Sequence, residues 1–147
     1  VARLLELENV PNQMIFMLQK EMAERLAAAF DCKDYGALSV RTQYLYDVKI
    51  IRVVPPTVFY PQPKVESAVV QFDLKKDVDM DMRFRKRLSS VTKTAFLQRR
   101  KQMCKVLSGN FDRTRVESAF EKLGIRPEVR PAALTVEDFV KLTRELM

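Results

Sequence analysis

The stretch KIIRVVPPTVFYPQPKVESAVVQFDL, residues 49–74, decides the fold. Its two ends, KIIRVV (49–54) and SAVVQFDL (67–74), are short and β-branched, and read as strands. Between them, Tyr60-Pro61-Gln62-Pro63-Lys64 is a proline-broken turn with the ring of Phe59 at its mouth. Two prolines fix φ and lower the entropy cost of ordering such a loop, so the pair reads as a β-hairpin with a stiff connection. A plain strand-to-strand link has no need of that stiffness.

Upstream, QMIFMLQ (13–19) is an almost continuous apolar run, expected to be a buried strand. KEMAERLAAAF (20–30) has Met22, Leu26 and Phe30 at helical spacing. YGALSVRTQYLYDV (35–48) is a weaker helix, with Leu38, Leu45 and Val48 on one side and Thr42 between them. Strand, helix, helix, strand, strand is an α/β pattern ending in a hairpin. Three strands alone leave an apolar sheet edge bare, which implies further strands N-terminal to Val1.

KKDVDMDM (75–82) is a polar link, taken as the boundary between an α/β domain at 1–75 and a helical domain at 76–147. Its alternating Asp77, Asp79 and Asp81 lack the Gly and closing Glu of a calcium loop. Beyond it, Phe84, Leu88, Val91 and Ala95 form one apolar stripe, with Lys86, Lys93 and Arg100 opposite. Thr114 and Glu117 have capping-box spacing, Gly124 follows the end of that helix, and Thr135 opens a last one whose stripe Thr143 interrupts. Tyr44, Tyr46 and Phe96 are expected in the core, and Glu21 and Glu24 in solvent.

Charge is unevenly placed. Residues 1–72 hold 8 basic and 8 acidic side chains, so the net +7 lies entirely in residues 73–147. Arg83 to Lys105 carries nine basic residues and no acid, a one-sign stretch that suits a polyanion such as nucleic acid. The chain has no histidine, which excludes His-based metal sites and Ser-His triads. Its three glycines, Gly36, Gly109 and Gly124, are isolated, so no glycine-rich nucleotide turn exists within these residues. No run of apolar residues is long enough to span a membrane. Cys32 and Cys104 are isolated thiols that suit a reducing cytoplasm. Residues alone give no catalytic constellation and no metal site.

FMLQKEMAERL (16–26), LSVRTQY (38–44), VPPTVFYPQPKVESAVV (54–70), AFLQRRKQM (95–103) and LGIRPEVRPAALTVEDF (123–139) occur in this order. From about Val10 onward the chain thereby resembles KsgA-type rRNA adenine dimethyltransferases. The F-x-P-x-P-K-V-x-S pattern at Phe59–Ser67 is the most specific part. Erm-type enzymes, which modify large-subunit rRNA, share the proline loop but resemble this tail less. The resemblance implies the C-terminal part of a class I, Rossmann-like S-adenosylmethionine methyltransferase domain ending in a β-hairpin, followed by a small all-α domain. It implies dimethylation of N6 on two adjacent adenines near the 3′ end of small-subunit rRNA, on the immature subunit, by a cytoplasmic monomer. Carried over by motif, Phe59 stacks on the extruded adenine, and Pro61 and Pro63 support its loop. Lys64, Lys86, Lys93, Arg99, Arg100 and Lys101 contact RNA. The family's glycine-rich donor turn and its Asn-Leu-Pro-Tyr motif are absent, so no catalytic or donor-binding residue is assigned and this stretch alone is expected not to turn over. The alternative is a non-catalytic RNA- or ribosome-binding module, and a helix-turn-helix DNA binder ranks below that.

Overall fold

A computed structural model describes residues 1–147. Three strands, β1 (Gln13–Gln19), β2 (Tyr46–Val54) and β3 (Ser67–Leu74), form one sheet in the order β1-β3-β2. β3 runs antiparallel to both neighbours, so β1 and β2 are parallel to each other. Their carboxyl ends therefore lie on the same edge of the sheet. The hairpin expected of β2 and β3 is present, with β1 added on the far side of β3, and a bulge at Ile50/Arg52 shifts the β2 register.

The sheet alternates as its period of two requires. Met14, Ala68, Val70, Phe72 and Tyr46 are buried on one face, while Ile15 and Met17 on the other are more than half exposed. The buried face packs on α1 (Lys20–Ala27) and α2 (Ala37–Leu45). Both helices are shorter than the periodicity predicts. α1 stops at Ala27, leaving Phe30 in a turn and 51% exposed. α2 ends at Leu45 and passes directly into β2, which takes Val48 into the sheet. The weak amphipathic signal of α2 has a physical cause. The helix lies between the sheet side and the C-terminal helices, and it buries Ser39, Val40, Arg41, Thr42, Tyr44 and Leu45 almost all the way round.

From residue 82 the chain is helical: α3 (Met82–Phe96), α4 (Met103–Ser108), α5 (Arg113–Lys122) and α6 (Val136–Glu145). Two acids of the polar link have local work. Asp79 accepts from the Asp81 N–H at 2.9 Å, and Asp81 caps α3 by accepting from the Arg83 N–H at 2.9 Å. Phe84, Leu88, Val91 and Ala95 are buried as expected. The cap of α5 is a correction. Asp112 takes the Arg115 N–H at 2.9 Å, which places Thr114 inside the first turn and leaves Glu117 to pair with Arg113 at 2.8 Å. Thr135 does open α6, in a reciprocal box with Asp138. Gly124 follows α5 at φ +65°, the left-handed conformation that favours glycine.

One hydrophobic cluster runs from Leu5 to Leu146, through both sides of the 75/76 boundary. Aromatic pairs stitch it together: Tyr44 with Phe84 at 5.5 Å, Tyr35 with Phe96 at 6.0 Å, and Phe96 with Phe139 at 5.7 Å. Tyr44 and Tyr46 are buried and Phe96 is half-buried, all three in this core.

Candidate nucleic-acid interface

The proline loop leaves β2 at the carboxyl edge of the two parallel strands, where open α/β sheets generally place their ligands. A short 3-10 turn, Pro56–Val58, starts it, and the Phe59 N–H closes that turn on the Pro56 carbonyl at 3.2 Å. The Tyr60–Pro61 peptide is cis. At the far end, the Lys20 N–H donates to the Glu66 carbonyl at 2.9 Å, and the Lys20 ammonium lies 3.5 Å from the Glu66 carboxylate. The loop is thus anchored at its base to the start of α1. Phe59 is half-buried, yet it belongs neither to the core cluster nor to the apolar side chains packed on that cluster. Pro63 is half-buried, and Pro61 and Lys64 are exposed.

The acid-free basic stretch divides in two. Three of its arginines reach backbone carbonyls at the ends of other segments. Arg85, 7% exposed, donates to Leu5, Leu7 and Glu8. Its buried Nε has no partner. Arg87 donates twice to the Leu146 carbonyl, at 3.2 and 2.6 Å, and lies 4.6 Å from the Phe111 ring centroid. Arg99 forks onto the carbonyls of Tyr35 and Cys32, the latter at 2.6 Å. Two of its five N–H donors are thereby engaged.

The remaining cations face outward. Arg83, Lys86, Arg100, Lys101 and Lys105 are exposed and form no ion pair. Lys93 is exposed, with the Glu6 carboxylate 3.8 Å away and shared with Arg41 at 3.0 Å. The helix expected to carry Arg100 in register with Lys86 and Lys93 ends at Phe96, so Arg99, Arg100 and Lys101 occupy the turn before α4. Freed from the helix, Arg99 and Arg100 line an open cleft of about 470 Å³ with Arg126 and Arg130, and Asp31 and Glu128 are the acids of the same lining. Arg126 and Arg130, within GIRPEVRP, are absent from the sequence-based site. They are four apart, but Pro127 and Pro131 keep the segment out of a helix, and only the tertiary fold brings them to the QRRK turn.

Burial shifts the tyrosines near the junction of sheet and helices. Tyr44 is pushed up to about 12, by burial first and then by the Asp79 carboxylate, while its hydroxyl donates to the Asp79 carbonyl at 2.8 Å. Tyr35 is raised by burial and by Asp138, and its buried hydroxyl has no partner. Tyr46 is raised by burial, with its hydroxyl 2.7 Å from the Pro11 carbonyl. None of these groups lies in the proline loop or the outward basic turn. Neither of those features contains an acid–base pair.

The sequence profile of the family described as "Ribosomal RNA adenine dimethylase" matches residues 1–147. Among curated proteins, the chain is 38% identical over 144 residues to a ribosomal RNA small subunit methyltransferase A of Clostridium botulinum, covering 97% of this chain and 52% of that protein. It is 39% identical over 143 residues to the protein of the same name from Dechloromonas aromatica, covering 97% and 54%. The chain thus spans about half the length of the curated relatives it matches. Among solved structures, a dimethyladenosine transferase from Plasmodium falciparum superposes with a TM-score of 0.81 at 22% identity, over 96% of this chain and 59% of that one. The 23S rRNA methyltransferase ErmE superposes at 0.65 with 21% identity, over 95% and 57%.

Proposed function

The chain belongs to the ribosomal RNA adenine dimethylase family, and from that membership we propose that the protein it represents transfers methyl groups from S-adenosylmethionine to N6 of two adjacent adenines near the 3′ end of small-subunit rRNA. The observation that carries this chain's share of the work is Phe59. It is an aromatic ring on an anchored, proline-rich loop at the carboxyl edge of the sheet, outside the hydrophobic core. An adenine whose exocyclic amine is to be methylated must leave its stack, and a ring held in place by prolines is a surface on which it can rest. Base-on-aromatic stacking contributes about 1–3 kcal/mol, enough to offset much of the cost of extrusion. Pro61 and Pro63 reduce the freedom that Phe59 loses on binding.

Affinity for rRNA comes in this reading from the outward cations: Lys64, Lys86, Lys93, Arg100 and Lys101, joined by Arg126 and Arg130, which line the cleft with Arg100. Arg99 braces the turn that presents Arg100 and Lys101. The proteins of similar sequence named for the small subunit favour that rRNA over the large-subunit substrate in the name of ErmE.

The methyl donor does not fit the residues present. Gly36 is the N-cap of α2, Gly109 the C-cap of α4, and Gly124 the residue after the end of α5. None forms a turn that could cradle a nucleoside. By the same reasoning this stretch alone is inactive. The test uses the full-length protein, immature small subunits and a labelled methyl donor. Phe59→Ala is expected to slow methyl transfer at least tenfold while leaving the melting temperature unchanged. A wild-type rate for that variant refutes the stacking role, and label in large-subunit rRNA instead refutes the substrate.

A further inference from the structure

Next to Phe59 stands a second ring with no role so far. Tyr60 is 102% exposed, more than any other large apolar side chain in the chain. Its neighbours Val58 and Val65 are exposed at 63% and 48%. A mobile loop could carry such a ring at little consequence, but this loop contains Pro55, Pro56, Pro61 and Pro63 and is tied down by the hydrogen bonds at Val58 and Phe59. A solvated aromatic on a preorganised support loses little entropy when something covers it.

The backbone at Phe59 is extended, with φ −108° and ψ 147°. Consecutive side chains of an extended segment point to opposite sides. Burial agrees, since Phe59 is half-buried and Tyr60 is fully in solvent. The two rings therefore cannot hold one base between them or share one face of it. They address two different partners. The charge of the loop says what kind: residues 55–65 contain Lys64 and no acid, and the first carboxylate beyond them in sequence, Glu66, is engaged by Lys20 at 3.5 Å. An exposed aromatic ring in a loop whose one charged side chain is a lysine suits a nucleotide with its phosphate.

We propose that Tyr60 is a second stacking platform, which takes the base next to the one held by Phe59 and so fixes the register of the RNA strand in the site. The inference rests on the reading of this loop as a base-holding element. It assigns the two rings different jobs: Phe59 holds the reacting base, and Tyr60 holds its neighbour.

The chain has no tryptophan, so Tyr60→Trp in a full-length protein that is also free of tryptophan at other positions introduces a single reporter. With immature small subunits, its emission is expected to be quenched without a blue shift, as stacking on a base requires. In steady-state kinetics, Tyr60→Ala is expected to raise KM about 5- to 150-fold with kcat retained, the range of one lost stacking contact. Tyr60→Phe restores the wild-type KM. Emission already blue-shifted in the free protein overturns the proposal, because the ring is then covered by the protein itself. A blue shift without quenching on binding overturns it in favour of a protein surface, and a wild-type KM for Tyr60→Ala overturns it outright. Failure of the parent reading looks different: Phe59→Ala then methylates normally as well. If only the present proposal fails, Phe59→Ala loses turnover while every Tyr60 variant behaves as wild type.

Discussion

Replacing Arg99 separates two roles that sequence alone merges in the QRRK turn. Its guanidinium spans the carbonyls of Cys32 and Tyr35, in the connection between α1 and α2. Hydrogen bonds to a charged group contribute about 1.5–3 kcal/mol each. The side chain is only half-buried, so water partly replaces the lost donors, and Arg99→Ala should cost about 2–4 kcal/mol rather than the full sum. For a chain of 147 residues this corresponds to a melting temperature lower by roughly 5–15 °C. Arg99→Lys sharpens the test. A single ammonium keeps the charge but cannot fork onto two carbonyls, so most of the stability loss should remain while the charge toward RNA is kept. Exposed Arg100 predicts the mirror image. Arg100→Ala should leave the melting temperature nearly unchanged and reduce the slope of log K against log salt by about 0.7–0.9, the loss of one phosphate contact. Thermal denaturation and salt-dependent RNA binding of the three variants are the assays. If Arg99→Ala melts with the wild type and itself removes a unit of salt slope, the guanidinium serves RNA and the bracing role is wrong.

The buried tyrosines predict an alkaline limit. Tyr35, Tyr44 and Tyr46 all have folded-state values raised above the unfolded value near 10, so their contribution is fully present below about pH 10 and is lost as pH rises through the folded values. Each should reduce stability by about 1.4 kcal/mol per pH unit in that window, measurable from denaturant midpoints. Tyr35→Phe should remove one of the three contributions and cost nothing below pH 10, because its hydroxyl is buried without a partner. At α5, Asp112→Ala should cost about 1 kcal/mol, whereas Thr114→Ala should stay within about 0.5 kcal/mol, the reverse of what the capping-box spacing suggests.

The legible parts of the fold are those where the signal is local. β-branched residues in alternation mark β2 and β3, and the prolines mark the loop between them, because both act through the residues themselves. α2 was poorly legible for the opposite reason. A helix covered on several sides loses the polar face that reveals its period, and Arg41 and Thr42 sit buried where solvent-facing residues would be expected. The end of α3 also left no trace. LQRRKQ contains neither Gly nor Pro, and the helix stops at Phe96 where Arg99 leaves to meet a loop 64 residues away. At the site, the motif named Phe59, but only the structure separates its ring from the core. Arg126 and Arg130 leave no trace in the sequence, since nothing in their own neighbourhood announces Arg100.

The basic stretch is informative once its two populations are separated. Arg85, Arg87 and Arg99 each send a guanidinium to carbonyls in a different element: the N-terminal segment, the end of α6 and the α1–α2 connection. Arginine suits that task because its planar fork reaches two acceptors and is weakly hydrated, so it tolerates burial better than an ammonium. The outward positions carry only an exposed positive charge, and lysine and arginine share them freely: Lys86, Lys93, Arg100 and Lys101. Nine cations without an acid therefore overstate the polyanion surface, because about a third of them hold the molecule together. The absence of acids serves both groups. A carboxylate within the stretch would compete with backbone carbonyls for the inward arginines, and would repel phosphate from the outward cations. The inward set ties α3 and the turn after it to the N-terminal segment, the α1–α2 connection and the end of α6, and so constrains where the basic turn sits relative to the Phe59 loop. Under the proposed function, an rRNA strand held at one and unstacked at the other would need that separation to be constant.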